Sequence, residues 1–321
     1  MKERIEYIDL AKGICILLVV MDHISDRGFF ADGNYPMNEI FEQLRMPLYF
    51  VLSGLFFKDY AGGIKQFLLR KTNRIIIPFL FFTFTLRVLN KGVEVFTGEP
   101  LGNVWSALWF LRCLFEMNII FAFSYYLVRR FLHGVTAEVS LAALMLIIGV
   151  SGYFVGNLPL NVGSAMTCMP FLWFGYLLNR RLSFFQLRIR PALAVFLFVL
   201  AIITLHFTYQ GENYFYRNEY SATLLLLYFS GALGTIGILL LSRVIKRLSV
   251  VSYVGRYSII VLCVHQLIIT LLLPVVGILP IGNVAQGGLI FLLAAIVCMA
   301  CCWLFKRYIP WLCAQKDLIT I

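Results

Sequence analysis

The sequence predicts an all-α, polytopic membrane protein with about ten transmembrane helices and both termini in the cytoplasm. Of its 321 residues, 61% are hydrophobic and only 13% are charged. A soluble globular protein carries roughly 25% charged residues, so this chain lacks the polar side chains needed to cover a compact body in water. The same shortage excludes a nucleic-acid-binding module, a disordered chain and a small disulfide-stapled domain.

Long apolar runs set the number and order of the predicted helices. A helix needs about 20 mostly apolar residues to cross a bilayer. Runs that meet or approach this length predict spans at residues 5–25, 38–57, 75–90, 104–128, 139–156, 165–179, 191–209, 221–241, 251–273 and 287–305. The third and sixth runs are short, so tilted or broken helices are expected there. We expect residues 1–321 to form a single integral-membrane domain without an internal repeat.

The distribution of basic residues predicts the orientation of the helices. Cytoplasmic loops of membrane proteins carry an excess of Lys and Arg. Of the 27 Lys and Arg, 20 lie at the N-terminus, in the even-numbered gaps between spans and in the C-terminal tail, whereas 4 lie on the opposite side. The other three are Lys12, Arg45 and Arg112, inside predicted spans. We therefore expect both termini in the cytoplasm, and the net charge of +11 needs no nucleic-acid partner.

The eight cysteines predict neither a disulfide framework nor a metal site. Seven lie inside apolar runs, and Cys313 lies near the C-terminus. A metal site is one interpretation of the cluster Cys298, Cys301 and Cys302, but no His or acidic residue lies near it in the sequence. Small packing residues on a membrane helix are the better interpretation.

Ionisable residues in the first predicted span are the first functional candidates. Charged side chains at membrane depth are costly and usually face the interior of a helix bundle. Lys12 and His23 are eleven residues apart, which is three helical turns plus roughly 20° and about 16 Å along the axis. They therefore share one helix face, with Lys12 in the inner half and His23 near the outer end. The alternative is that Lys12 reaches the interface and His23 caps the helix there.

The second span contains Arg45 about a third of the way from the outer face, at a depth similar to that of His23. Pro47 follows two residues later, and the backbone carbonyls that a proline frees are tolerated only beside polar partners or a cavity. We therefore expect Arg45 to face the protein interior rather than lipid. A structural Arg, paired with backbone or with Asp22, is the competing interpretation.

Two basic residues, Lys71 and Arg74, mark the cytoplasmic entrance of the third span. Arg and Lys form charge-assisted hydrogen bonds to phosphate oxygens, so the pair suits a phosphate-bearing cytosolic ligand. The alternative is anchoring of the helix by contacts with lipid headgroups.

Further polar residues lie in the fourth and ninth spans. Arg112 and Glu116 are one turn apart, shortly after Trp109, and can neutralise each other inside the bundle. Ser258 and His265 are seven residues apart and share a face. An intramembrane His is more often structural than catalytic, but two such residues in one bundle favour a functional site.

Taken in order, these residues resemble the acyltransferase-3 family of membrane-bound O-acyltransferases, over essentially the whole chain. The motifs that carry the resemblance are Ile8-Asp9-x-x-Lys12-Gly13 leading to His23, Arg45 to Gly54, the basic pair before Ile75-Ile76-Ile77-Pro78, Trp109-Phe110-Leu111, and Gly255-x-x-Ser258 with His265. The family pattern often has Arg where this chain has Lys12. It usually has two Arg, separated by two residues, where this chain has Lys71 and Arg74.

The resemblance implies an O-acetyltransferase that moves an acetyl group from cytosolic acetyl-CoA to a hydroxyl of a cell-surface or lipid-linked glycan. It implies that His23 is the catalytic base or acyl carrier, assisted by Arg45 and Lys12, and that Lys71 and Arg74 hold the CoA phosphates. Supporting residues on the same basis are Asp9, Trp109, Glu116, Ser258 and His265.

The resemblance also sets the expected partners and location. The acyl-CoA is a donor substrate, and no bound cofactor, metal or nucleic acid is expected. The protein is expected to be a stand-alone, multi-pass member of the family in the bacterial cytoplasmic membrane, without an extracytoplasmic domain.

Two other functions fit parts of the sequence. A transporter or flippase for an anionic or glycan substrate could use Lys12, Arg45 and Arg112 to line its path. Many transporters are built from inverted repeats, and none is apparent here; a transporter would also need no acetyl-CoA. A structural or receptor-like membrane protein would not need two His and three basic residues at membrane depth. Acyl transfer is therefore the predicted function.

Overall fold

The computed structural model describes residues 5–30, 36–187 and 189–319, without side-chain detail at 36–39. It confirms the all-α prediction. The helices are α1 (Glu6–Ser25), α2 (Pro36–Leu55), α3 (Gly63–Lys71), α4 (Ile77–Thr97), α5 (Trp109–Phe131), α6 (Gly134–Val155), α7 (Val162–Thr167), α8 (Met169–Arg180), α9 (Pro191–Thr208), α10 (Leu224–Ile245), α11 (Ser249–Arg256), α12 (Ser258–Gly277) and α13 (Asn283–Tyr308). A short antiparallel ribbon, β1 (Asn213–Tyr214) and β2 (Glu219–Tyr220), pairs Asn213 with Tyr220 between α9 and α10.

Seven helical segments are long and apolar enough to cross a membrane. They are Gly63–Thr97, Ser106–Phe131, Gly134–Val155, Pro191–Thr208, Leu224–Ile245, Ser258–Gly277 and Asn283–Tyr308. The other three predicted spans correspond to α1, α2 and the pair α7 and α8. Helices α1 and α2 have 20 residues each, or about 30 Å, but their charged residues lower the hydropathy. Ten spans therefore stays a prediction. Lys2, Arg4 and Arg188 of the charge count, and the predicted cytoplasmic ends at 1–4 and 320–321, lie outside the described residues.

The predicted length of the third span, residues 75–90, is wrong. The observed helix runs from Gly63 to Thr97, with a π-helical turn at Thr72–Ile76 between α3 and α4. Its ends are helical but polar, and hydropathy detects only the apolar middle. The sixth span is broken as predicted, where α7 ends and α8 begins at Cys168. The ninth span is also divided, because Tyr257 has a non-helical backbone between α11 and α12.

The described residues pack into two compact units, which we call the first and second unit. The first unit falls within 1–38, 76–108 and 245–318, and the second within 39–75, 109–244 and 319–321. Helices α1, α4, α11, α12 and α13 therefore build the first unit. The second unit contains α2, α3, α5 to α10 and the β-ribbon.

The first unit is organised by a contact between the backbones of α1 and α11. A Cβ atom added to Gly13 would lie 2.0 Å from the carbonyl oxygen of Val251, and one added to Gly255 would lie 1.9 Å from that of Asp9. No side chain fits at either position. Small residues of this kind let membrane helices approach closely enough for backbone packing. The glycines therefore fix how α1 passes α11.

The second unit has an equivalent contact between α2 and α8. A Cβ on Gly54 would lie 1.8 Å from the carbonyl oxygen of Leu172, and one on Gly175 would lie 1.9 Å from that of Val51. The two helices thus pack backbone against backbone, each through a glycine. This contact holds the helix that carries Arg45.

Replacement of Gly13 by Ala tests the α1–α11 contact. The variant should lower the free energy of unfolding by about 1–3 kcal/mol or more, because the new methyl group meets backbone atoms that cannot rotate away. Thermal unfolding in detergent can be followed with a thiol-reactive fluorophore, since seven of the eight cysteines are buried.

The matched control is Gly288→Ala in α13, where nothing lies within 4 Å of the added Cβ. Ala is the better helix former by roughly 1 kcal/mol, so the control should unfold at the same temperature as the wild type or slightly above it. Equal unfolding temperatures for Gly13→Ala and the wild type would contradict the proposed contact.

Candidate active site

Two histidines, distant in the sequence, meet in the first unit. His23 lies in the last turn of α1, and its ring stacks on that of His265 from α12, with centroids 5.2 Å apart and planes inclined by 29°. The side chain of His23 is 24% exposed, whereas His265 is fully buried. The structure therefore joins a partly accessible imidazole to an inaccessible one.

Asp26 sets the orientation of the His23 ring. Its Oδ2 lies 3.1 Å from Nδ1 of His23, just beyond the end of α1. A carboxylate only accepts hydrogen bonds, so Nδ1 carries the hydrogen and the lone pair of the neutral ring is on Nε2. This tautomer suits a group that removes a proton from a hydroxyl or attacks an acyl carbon through Nε2.

His265 has the same tautomer for a different reason. Its Nδ1 lies 3.0 Å from the carbonyl oxygen of Val261, one turn earlier in α12. Its Nε2 is buried and has no hydrogen-bond partner among the described residues. Buried polar atoms are nearly always hydrogen-bonded. Nε2 of His265 is therefore one of the exceptions among the described residues, an enclosed acceptor on a ring that stacks against His23.

The end of α1 also groups three possible metal ligands. Ligand-type atoms of Asp22, His23 and Asp26 lie within 4.8 Å of one another. Exposed acidic groups commonly cluster without a metal ion, and Asp26 is 61% exposed. We therefore interpret Asp26 as the hydrogen-bond partner of the His23 imidazole rather than as a metal ligand. Activity measured with and without a chelator distinguishes these two roles.

The remaining candidates of the first unit lie further from the imidazoles. Helix α1 is continuous from Glu6 to Ser25, so Lys12 lies about 16 Å before His23 along the axis, as predicted. Lys12 is half-buried and Asp9 is buried. Ser258 is the first residue of α12, about 10 Å along the axis from His265. The predicted common face is confirmed, but the structure does not bring Ser258 against the His265 ring.

In the second unit, Arg45 is buried inside α2, two residues before Pro47, and only 7% of it is exposed. Its burial agrees with the expected interior position and excludes a lipid-facing side chain. Trp109 begins α5, and its ring packs against those of Phe110 and Tyr216 with centroids 6.1 and 6.4 Å apart. Trp109 is therefore part of an aromatic cluster.

Arg112 and Glu116 form no direct ion pair in the part of the chain that the structure describes, although the guanidinium still acts electrostatically on the carboxylate. Nη2 of Arg112 donates to Oδ1 of Asn161 instead. Asn161 has a left-handed backbone, with φ of 63°, in the turn before α7, and this turn presents its amide to Arg112. Glu116 is left with a buried Oε2 that has no hydrogen-bond partner.

Lys71 and Arg74 lie on adjoining turns of one continuous helix. Lys71 is the last residue of α3, and its ammonium lies 5.3 Å from the centroid of the Phe67 ring, a cation–π contact. Arg74 lies in the π-helical turn and is exposed. The predicted basic pair is thus present, with one member held on an aromatic ring and the other exposed.

Comparison with known proteins gives the family. The sequence model of the acyltransferase-3 family, described as an acyltransferase domain, matches residues 5–307, nearly the whole chain. The chain belongs to the acyltransferase-3 family. It is therefore a multi-pass membrane acyltransferase, and every predicted site residue lies inside the matched range. Neither the curated proteins nor the solved structures contain a match.

The motif residues of this acyltransferase-3 protein are divided between the units. Lys12, His23 and His265 belong to the first unit, and Arg45 and Arg74 belong to the second. None of the motifs that indicate the family in the sequence includes Asp26, and sequence reasoning missed it. Its only signal is a carboxylate three residues after His23, a spacing at which side chains at a helix end can meet.

Replacement of Asp26 by Asn tests the orientation of His23. The variant should reduce kcat for acyl transfer roughly 5- to 50-fold, a range set by a charge-assisted hydrogen bond that is weakened by solvent. The KM for the acyl donor should stay the same, because Asp26 acts through the imidazole. Steady-state kinetics on purified protein measure both constants. Arg27→Gln, at the next exposed position, is the control and should keep the wild-type kcat; an equal loss there would contradict a specific role for Asp26.

Proposed function

We propose that the protein is an O-acetyltransferase of the bacterial cytoplasmic membrane. It moves an acetyl group from cytosolic acetyl-CoA to a hydroxyl of a cell-surface or lipid-linked glycan. The family match supports acyl transfer in general. The observation that carries the proposal is the His23–His265 stack with Asp26, which gives His23 a usable Nε2 lone pair at a partly exposed position.

The reaction needs one group to take a proton and return it. In direct transfer, Nε2 of His23 removes the proton from the glycan hydroxyl while its oxygen attacks the thioester carbonyl. The new C–O bond forms, the C–S bond of the tetrahedral intermediate breaks, and the CoA thiolate takes the proton from His23.

An alternative route uses His23 as a nucleophile. Nε2 attacks the thioester and forms an acyl-imidazole as CoA leaves, and the glycan hydroxyl then attacks this acyl group. Both routes use the same tautomer of His23. Incubation with acetyl-CoA alone separates them, because only the second route releases stoichiometric CoA before a glycan is added.

His265 receives a role that its burial allows. Its ring is fully buried and stacks on that of His23, so it is assigned to holding the catalytic imidazole in place. Arg45 is assigned to the developing oxyanion, since a buried guanidinium is pre-organised to stabilise negative charge. Lys12 is assigned to the donor path on the basis of the family motif.

The donor is assigned to Lys71 and Arg74. Acetyl-CoA carries a pyrophosphate and a 3′-phosphate, and Arg and Lys bind such groups through charge-assisted hydrogen bonds. Arg74 is exposed, at the end of the helix that the charge distribution predicts to be cytoplasmic. Lys71 keeps its ammonium on the Phe67 ring, which limits the rotamer entropy lost when a phosphate binds.

Replacement of His23 by Ala tests the catalytic assignment. General acid–base catalysis contributes roughly 100- to 10,000-fold, so the variant should lose acetyl transfer by at least that lower factor while remaining folded. Transfer of isotope-labelled acetyl from acetyl-CoA to envelope glycans, measured by mass spectrometry, gives the rate. His133→Ala, at an exposed position before α6, is the control.

Wild-type acetylation by folded His23→Ala protein would contradict the catalytic role. A membrane protein that moves glycans without consuming acetyl-CoA would instead be a transporter or flippase. A chelator should leave the wild-type rate of acetyl transfer unchanged. Loss of acetyl transfer in the presence of the chelator would indicate a metal ion at Asp22, His23 and Asp26.

Replacement of Arg74 by Ala tests the donor site. The loss of a charge-assisted phosphate contact should raise the KM for acetyl-CoA roughly 10- to 100-fold, with a smaller effect on kcat. Lys71→Arg should be mild because it keeps the charge. Acetyl-pantetheine thioester lacks the CoA diphosphate and 3′-phosphate, so its KM should be the same for wild type and Arg74→Ala.

Lys65→Ala is the matched control for lipid anchoring, since Lys65 is an exposed cation on α3. It should leave the KM for acetyl-CoA unchanged. If Arg74→Ala lowers only the membrane yield, like Lys65→Ala, and keeps the wild-type KM, then the basic pair anchors the helix and does not bind the donor.

A further inference from the structure

A buried amide lies between the two basic residues of the donor site. Asn73 is completely buried in the π-helical turn, between Lys71 and Arg74. Its Nδ2 donates to the carbonyl oxygen of Ile319 at 2.9 Å, and its Oδ1 accepts from the N–H of Ile319, also at 2.9 Å. One side chain thus pairs with both backbone groups of a single residue, as two neighbouring β-strand residues do.

This double hydrogen bond joins segments that are far apart in the sequence. Ile319 lies eleven residues after the end of α13. Both bonds are made by a fully buried side chain, where a lost hydrogen bond is not readily replaced by one to water. The arrangement is therefore a specific docking contact for the chain around Ile319.

Because the contact lies in a π-helical turn, it affects how the basic pair Lys71 and Arg74 is arranged. π-helical turns are rare, depend on local context and occur frequently at functional sites. In such a turn the spacing of side chains differs from that in an α-helix. The shape of the turn therefore decides how Arg74 is presented relative to Lys71, and Asn73 is the buried residue between them.

We infer that Asn73 is a positioning residue for donor binding, and that docking of Ile319 on it holds the basic pair in its phosphate-binding arrangement. The inference rests on the proposed donor role of Lys71 and Arg74. Because coupling between two binding events is reciprocal, bound acetyl-CoA should in turn strengthen the docking of Ile319.

The first test removes a single donor atom. Ile319→Pro deletes the N–H that donates to Oδ1 of Asn73, and the loss of this buried hydrogen bond should raise the KM for acetyl-CoA roughly 3- to 30-fold, with kcat little changed. Ile319→Ala keeps the N–H and should behave like the wild type. Asn73→Asp, which lacks the Nδ2 donor, should also raise the KM. The KM for acetyl-pantetheine should be the same in all of these proteins.

The second test needs no variant. Hydrogen–deuterium exchange of peptides that cover 309–321 should slow when acetyl-CoA is added to wild-type protein, and should not slow with acetyl-pantetheine. Unchanged exchange with acetyl-CoA, or a wild-type KM for Ile319→Pro, would overturn the inference.

The outcomes also separate this inference from the proposed function. A wild-type KM for both Arg74→Ala and Ile319→Pro would mean that the basic pair does not bind the donor at all. A raised KM for Arg74→Ala together with a wild-type KM for Ile319→Pro would leave the donor site in place and exclude only the positioning role of Asn73.

Discussion

The backbone contact between α1 and α11 is the constraint on which the candidate site depends. Gly13 and Gly255 lie at this contact, and His23 and His265 lie ten residues further along in each case. From the glycine contact to the ring stack, both segments run in the same chain direction over ten residues, so they lie side by side along this stretch. A slip of one residue would rotate an imidazole by about 100° and separate the rings. The glycines therefore set the register in which the imidazoles meet.

The buried polar atoms that have no hydrogen-bond partner among the described residues differ in their free-energy cost. Many are hydroxyls of helical Ser and Thr, as in Thr235 and Ser242, which can rotate towards the carbonyl one turn earlier. Nε2 of His265 and Oε2 of Glu116 have no such option, because each is an acceptor and the carbonyl one turn earlier has no hydrogen to donate. An unsatisfied buried group costs about 1–3 kcal/mol. These two atoms therefore carry a free-energy cost that the rotatable hydroxyls avoid.

The sequence predicts the helices well because an apolar run of membrane length has few alternatives. It also places Lys12 and His23 on one face, since that needs only the helical repeat. It could not predict the stack of His23 on His265, which depends on a glycine contact between distant segments. It missed the partner of Arg112, because that depends on the left-handed backbone of Asn161. The contact of Asn73 could not be predicted either, because its partner is a backbone group more than 200 residues away in the sequence.

The exposure of the two imidazoles explains why they should differ in role. A base must hold a proton for part of each turnover, and burying an unpaired charge is costly. His23, 24% exposed and paired with a carboxylate, tolerates that state. Because Asp26 is 61% exposed, solvent limits its electrostatic contribution to about 1 kcal/mol. Its main effect is therefore to fix the ring and tautomer. His265, fully enclosed, is suited to a supporting role, because its ring packs against that of His23 and limits the movement of the proposed base.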